Sequence, residues 1–373
     1  MKAWPILAIA VLQGILLMAH WFLYRTWIDF MGSLNPTGTL ELKAALFVLA
    51  LSFITAALLG FRFSNPLVKL IYRIAAVWLG LLNFFFLAAC LCWLTEFALR
   101  ISPLAPSQPH YRPTIAVVFF SLALLAVFYG LLNARWVRVR SVAVQLPNLP
   151  EAWSGRTALL VSDLHLGHVR GLHFSRRIAA HAERLQPDII LIPGDLFDGS
   201  EADPAGLIAP LKALSPPFGT FFSSGNHDEF GKSAHYTAAL TEAGIRVLDN
   251  ERVTIEGLQI VGITYTESVS PLRLRVFLES LRLAEGEASI LLNHVPNRLP
   301  IVESAGVSLQ LSGHTHGGQV FPFTWFTRRA FGKFTYGLQQ FGALQVYTSS
   351  GAGTWGPPMR VGTHPEIVLL QFV

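Results

Sequence analysis

The sequence predicts an N-terminal all-α transmembrane region followed by a C-terminal α/β domain. Three observations predict it. Apolar residues crowd into the part of the chain before Ala134. The remainder alternates short apolar runs with helical stretches. Five of those runs end in Asp, Asn or His.

At 373 residues the chain is long for one domain and suits two. Mean hydropathy is +0.46, and only 14% of residues are charged, against ~25% in typical soluble domains. Both cysteines, Cys90 and Cys92, lie in one apolar run and read as small apolar residues. The second half has no cysteine, which excludes a disulfide framework and a thiolate zinc site there. A net charge of +5 and a pI of 9.4 suit a protein held near anionic lipid. No Lys/Arg run interleaves with aromatics, so nucleic acid is not an expected partner.

Four apolar stretches, residues 5–24, 44–61, 74–95 and 114–134, each approach the ~20 residues that a helix needs to cross a bilayer. The breaks between them hold Asn35-Pro36, Asn65-Pro66 and a Pro-rich stretch from Pro103 to Pro113, all turn or loop signals. The first stretch is long for a signal-peptide core, and Trp27, Ile28 and Phe30 follow it where a small-residue cleavage site would stand. The division expected is a four-span anchor over residues 1–136 and a catalytic domain over 137–373.

Orientation follows from Lys/Arg asymmetry. One side holds Lys2, Arg62, Lys69, Arg73, Arg135, Arg138 and Arg140, and the other holds Arg25, Lys43, Arg100 and Arg112. The bias puts both termini and the catalytic domain on the cytoplasmic side of a bacterial-type inner membrane. His20, the one ionisable residue well inside a span, reads as an interfacial histidine beside Trp21 and Tyr24. Without buried charge in the spans, transport is poorly supported.

Beyond Arg140 the pattern changes. Val142, Val144 and Leu146 alternate with polar or small residues, a strand signal. Residues 158–161, 188–192, 219–223, 289–292 and 307–311 read as buried strands. They lead into Asp163 and His165, Asp195, Asn226, His294, and His314 with His316. A helix is expected over 174–185. In open α/β sheets, functional groups gather at the carboxyl ends of strands. The donors are all oxygen and nitrogen, suited to divalent Mn, Fe, Zn or Mg. Seven are too many for one zinc, which takes about four, and they suit two ions that share a carboxylate. Asp163 and His165, like His314 and His316, are two residues apart and can point to one face. Gly194, Gly225 and Gly313 precede ligands where the backbone must turn or approach closely. Alone, each fragment would be a loop or turn. Together, in this order, they specify a site.

These residues resemble the calcineurin-like metallophosphoesterase family. Its five blocks stand here as Asp163-Leu164-His165, Gly194-Asp195-Leu196-Phe197-Asp198, Gly225-Asn226-His227-Asp228, Asn293-His294 and Gly313-His314-Thr315-His316. The resemblance covers about residue 139 to the C-terminus. The phrase from Leu311 to Gln319, with Ser349-Ser350-Gly351-Ala352-Gly353, looks like the bacterial membrane-linked branch of predicted phosphohydrolases. The resemblance implies two facing β-sheets with helices outside. It implies one metal on Asp163, His165, Asp195 and His316, and a second on Asp195, Asn226, His294 and His314, with Asp195 bridging. It sets His227 apart as the residue that faces the leaving group. Asp198 stands where purple acid phosphatases carry Tyr, which points away from a purple iron centre.

The chemistry expected is attack of a metal-bridging hydroxide on phosphorus, with His227 as general acid and Asp228 orienting its ring. Asp198 is expected to support the loop and not to bind metal. The substrate is expected to be a phosphodiester or pyrophosphate, and residues 321–334 point to a lipid-linked one. That stretch is aromatic and basic and reads as a lip at the membrane interface. Relatives in the family hydrolyse the UDP-diacylglucosamine of lipid A synthesis. Arg328, Arg329 and Arg360 are candidate phosphate contacts. The competing readings are a broad phosphodiesterase merely tethered to the membrane and an inactive metal-bearing scaffold.

Overall fold

A computed structural model of the chain describes residues 3–102, 110–230, 233–283 and 286–373. Lys2 and residues 103–109 of the Pro-rich connection lie outside the described residues. The chain divides into two compact units, residues 1–132 with 356–359, and residues 133–355 with 360–373.

The first unit contains α1 (Ala3–Met31), α2 (Pro36–Gly60), α3 (Pro66–Ile101) and α4 (Arg112–Asn133). All four are long and apolar enough to span a membrane. The Asn-Pro pairs expected to mark loops start helices instead. Asn35 Oδ1 accepts from Gly38 N at 2.7 Å, and Asn65 Oδ1 accepts from Val68 N at 3.0 Å. The proline after each fills a first-turn position that needs no N–H donor.

Two helices outrun their apolar cores. α2 has 25 residues and α3 has 36, because polar residues such as Glu41 and Lys43 continue a helix that hydropathy alone does not reveal. Glu96 is buried near the end of α3, with Arg112 at 2.6 Å and Arg100 at 2.8 Å. His20 corrects its expected interfacial setting. It is buried, Trp78 Nε1 donates to its Nε2 at 2.9 Å, and its Nδ1 lies 2.7 Å from the Leu16 carbonyl. A buried imidazole needs such partners, and α1 and α3 supply them.

The second unit has two sheets. The first contains β1 (Arg138–Val144), β2 (Thr157–Leu160), β3 (Ile189–Pro193), β4 (Thr220–Ser223) and β5 (Ile245–Val247). The second contains β6 (Glu251–Ile255), β7 (Leu258–Gly262), β8 (Ser289–Leu292), β9 (Leu309–Ser312), β10 (Gly337–Phe341) and β11 (Leu344–Thr348). The last strand, β12 (Glu366–Phe372), returns to the first sheet between β1 and β2. The strand orders are β1-β12-β2-β3-β4-β5 and β10-β11-β9-β8-β7-β6.

Alternation along the central strands builds three cores. Ala158, Leu160, Ile189 and Leu191 meet Ile290, Leu292, Leu309 and Leu311 between the sheets. Leu159, Val161, Ile190 and Ile192 face outward onto Phe174, Ile178 and Ala182 of the helix Leu172–Leu185. Val261, Leu291 and Val346 pack onto Leu274 and Leu278 on the far side. Both faces of the central strands are therefore buried, which is why they read as unbroken apolar runs.

Parallel register brings the ligand-bearing ends together. Leu160 pairs with Leu191, Pro193 with Ser223, and Leu292 with Leu311. The segments after β2, β3 and β4 leave one edge of the first sheet, and those after β8 and β9 leave one edge of the second.

Candidate metal centre

The strand ends present their polar residues through an uncommon backbone. Asp163, His165, Asp195, His314 and His316 all have positive φ, between 48° and 67°. Each such non-glycine residue costs on the order of 1–3 kcal/mol and persists only where its surroundings dictate it. Here they do. Asp163 N donates to Gly194 O at 3.2 Å, His165 N to Asp195 O at 3.1 Å, and Gly313 N to His294 O at 3.0 Å. The left-handed turns reverse the chain just beyond each strand and aim the side chains across the sheet edges.

Two glycines permit the crowding. A Cβ on Gly225 would lie 2.3 Å from Asp195 Oδ1, and one on Gly313 would lie 2.0 Å from Asp163 Oδ2. The absence of a side chain is thus required for close approach to two carboxylates.

The structure brings all seven expected donors to one place. Asp163, His165 and His316 offer ligand atoms within 4.8 Å of one another, as do Asp195, His294 and His314. Nε2 of His165 and Nε2 of His316 are 3.0 Å apart. Asp195 Oδ2 lies 3.1 Å from His294 Nε2 and 3.7 Å from His165 Nε2. Asn226 Oδ1 is 3.1 Å from His314 Nδ1. Asp163, His165, Asp195, His294 and His316 are buried, while Asn226 and His314 are half-buried.

This donor set fits divalent cations. Its atoms are oxygen and nitrogen, and Nε2 of buried His294 faces Asp195 Oδ2 at 3.1 Å. Burial of carboxylates and imidazoles without a cation also sets their charges against each other. For Asp195, burial opposes ionisation, but His294 and its imidazole neighbours hold the carboxyl well below its usual range. For His294, burial is again the larger single effect, yet Asp195 and Asp163 outweigh it and hold the imidazole up at about 10. Burial lowers His314 to about 4 and keeps His165 and His316 neutral. Burial raises Asp163 to about 6.

His227 stands at the same edge. Its backbone N donates to Asp195 Oδ1 at 2.9 Å, and its Nδ1 lies 3.2 Å from the Asp198 carbonyl. With His165 and Asp195 it forms a third group of donors within 4.8 Å. Phe230 and Trp355 flank its ring, with centroids 5.0 and 5.5 Å away. Both are about half exposed, at 48% and 51%. Trp355 is held by a reciprocal pair of 2.9 Å bonds between its backbone and the Gln319 amide. No pattern in the sequence signals these two aromatics, because they stand far apart in the chain and outside every ligand block.

Two expectations change. Asp228 does not orient the His227 ring. Its Oδ2 accepts from Asp195 N at 2.6 Å and Gly225 N at 2.9 Å, and its Oδ1 accepts from Phe197 N at 3.0 Å. It pins the backbones of two ligand loops, and the Asp198 carbonyl takes the ring. Arg360 is not placed as a phosphate contact, since it is completely buried. Its Nη atoms donate to the carbonyls of His316, Gly351 and Gly353 at 2.9, 3.1 and 2.6 Å, and Nη2 lies 3.1 Å from His316 Nδ1. Arg328 and Arg329 are exposed on the helix Phe323–Phe331. Asp198, by contrast, supports the loop as expected, accepting from His168 N at 3.1 Å and Ser200 N at 2.9 Å.

Comparison with known proteins agrees with this geometry. The family model for calcineurin-like phosphoesterases matches residues 157–318. An uncharacterized metallophosphoesterase of Campylobacter jejuni is 30% identical over 329 residues, 82% of this chain and 85% of its own. A transmembrane protein with a metallophosphoesterase domain from Danio rerio is 30% identical over 78% of this chain and 70% of its own. An uncharacterized metallophosphoesterase of Aquifex aeolicus is 30% identical over 67% of this chain and 97% of its own. On this likeness, and on strand ends that bring phosphoesterase-type donors together, the chain belongs to the calcineurin-like metallophosphoesterases, hydrolases of phosphoesters.

Proposed function

We propose that this chain is a two-metal phosphoesterase, anchored by α1–α4, that hydrolyses a phosphodiester or pyrophosphate bond in a lipid-linked substrate. The observation that carries the reading is the position of Asp195, whose Oδ2 faces His294 and His165 from opposite ligand groups. A carboxylate so placed suits a bridge. One ion would take Asp163, His165, Asp195 and His316, and the other Asp195, Asn226, His294 and His314. Mn, Fe, Zn and Mg all suit such donors. When bound, such a pair would supply positive charge at the phosphoryl oxygens and would activate water for attack on phosphorus.

The chain's own groups do the rest. With Nδ1–H donated to the Asp198 carbonyl, His227 is left with Nε2 for the leaving oxygen, the position of a general acid. Asp228 holds the loops of Asp195 and Gly225 in place by its three backbone bonds. Phe230 and Trp355 give the leaving group an apolar setting beside His227, which supports a substrate with an apolar or aromatic part. The four apolar helices support a membrane substrate. The Lys/Arg bias of the connecting segments supports a bacterial-type inner membrane with the domain on the cytoplasmic side.

The test uses the full-length protein in detergent. Metal content and turnover of bis-p-nitrophenyl phosphate with Mn are measured, then loss of individual phosphates from a membrane lipid extract. Two bound ions with turnover and consumption of a lipid phosphate are expected. Turnover of the small ester with an untouched lipid extract would reduce the protein to a tethered phosphodiesterase. Bound metal without any turnover would make it a scaffold.

A further inference from the structure

The helix Phe323–Phe331 begins seven residues after His316 and buries none of its residues. Its inner stripe, Thr324, Thr327 and Phe331, is only half-buried. That spacing is the packed face of a surface helix. The other positions face outward, and they are not those of an ordinary solvated helix. Phe323, Trp325 and Phe326 are 51%, 67% and 66% exposed. Arg328 and Arg329 follow, then Lys333, all exposed.

The helix is built onto the ligand loop. A Cβ on Gly318, which has φ +86°, would lie 2.5 Å from both N and Cα of Thr324, so the first turn sits directly on the loop carrying His316. Thr315 Oγ1 donates to the Thr335 carbonyl at 2.8 Å, tying the far end to the same loop. The Phe331 ring lies 6.2 Å from that of His314. Whatever the outer face touches therefore sets the surroundings of two candidate ligands.

The chemistry of that face selects its partner. Large aromatics beside Arg and Lys, with no Leu, Ile or Val in the helix, match the interfacial zone of a bilayer, where amphipathic rings and cationic groups both find partners. The cations complement anionic headgroups. Only residues 134–137 connect α4 to β1, so the chain itself confines this domain to a membrane surface. We infer that Phe323–Phe331 is a bilayer-docking helix: Phe323, Trp325 and Phe326 enter the interface, and Arg328, Arg329 and Lys333 contact anionic lipid. The inference concerns the surface and not the substrate, and it holds even for a water-soluble phosphoester.

Spin-label accessibility tests it in the intact chain. Cys90 and Cys92 are replaced by Ala, and single cysteines are introduced by Trp325→Cys, Phe326→Cys and, as a reference, Leu272→Cys. Leu272 is 71% exposed on the helix Pro271–Leu281. Nitroxide-labelled proteins in nanodiscs containing anionic lipid are relaxed by oxygen and by a water-soluble nickel chelate. The ratio of oxygen to nickel accessibility at 325 and 326 is expected to exceed that at 272 several-fold. A ratio equal to that at 272 would show a water-facing helix and overturn the inference. Labels shielded from both reagents would show that a protein, or a second copy of the chain, covers the face, which also overturns it. Failure here leaves the metal content and turnover of the same protein unchanged, and so stays separate from failure of the phosphoesterase reading.

Discussion

The carboxylate of Asp195 lies 3.1 Å from Nε2 of His294, a contact between the chain leaving β3 and the chain leaving β8. It joins the working edges of the two sheets. It also pairs opposite charges, because Asp195 remains ionised while His294 holds a proton up to about 10.

That proton must leave before His294 can ligate a metal. The sign follows from the raised pKa. Between 6.5 and about 10 the metal-free imidazole binds a proton that the metal-bound form does not, so metal affinity rises with pH across this window, by roughly tenfold per unit for one proton. Titration calorimetry of the metal-stripped protein at pH 7.5, in buffers of different ionisation enthalpy, should report release of about one proton from this imidazole. Release that is unaltered in His294→Ala would place the proton elsewhere.

His227 and Asp195 should separate cleanly on substitution. His227→Ala is expected to keep both metals and to lose activity by roughly 10²–10⁴-fold, the usual worth of a general acid. Asp195→Ala is expected to lose metal. Elemental analysis beside turnover decides it, and full metal content in Asp195→Ala would end the bridging assignment.

Arg360 shows where the sequence was legible and where it was not. The strands could be read because each is buried on both faces and leads into a donor, a pattern carried within a few residues of chain, as in Leu191, Ile192 and then Asp195. Arginine is mostly exposed, so nothing local marks Arg360 as a buried prop under His316. Asp228 misled for a related reason. It adjoins His227 in sequence, but the N–H groups it accepts from belong to Asp195 and Phe197, more than thirty positions away, as well as to nearby Gly225. The five left-handed ligand turns were also hidden, since Asp and His do not encode φ and only the contacts between loops impose it.

Replacement of Arg360 by Met should therefore act on stability first. It removes the donors to three carbonyls, those of His316, Gly351 and Gly353. The carbonyls of His316 and Gly351 keep the N–H groups of Gln319 and Glu366, so the Gly353 carbonyl is the one that loses its donor. A buried acceptor left unpaired costs about 1–3 kcal/mol, the loss expected in urea unfolding of the metal-free protein. An unchanged midpoint would mean that water replaces the guanidinium.

Gly225→Ala probes the ligand edge differently. The added methyl would need the space of Asp195 Oδ1, 2.3 Å away, so either the carboxylate or the loop after β4 must move. Loss of metal with retained far-ultraviolet circular dichroism is the expected result. Normal metal content would mean that Asp195 can shift without leaving the site.

Phe230 and Trp355 should control the leaving group. Their rings flank His227 at 5.0 and 5.5 Å and remain about half exposed, so each has a face left for substrate. Aromatic pairing contributes about 0.5–1.5 kcal/mol beyond buried area. Removal of either ring should therefore raise KM for bis-p-nitrophenyl phosphate roughly two- to tenfold, with both metals retained. The replacement Trp355→Phe should restore most of the loss, since Gln319 bonds the backbone of residue 355 and not its side chain. A fall in kcat at constant KM, in Trp355→Ala and Phe230→Ala alike, would instead assign the rings to holding the His227 imidazole, and the leaving group would have to be sought on another side of the site.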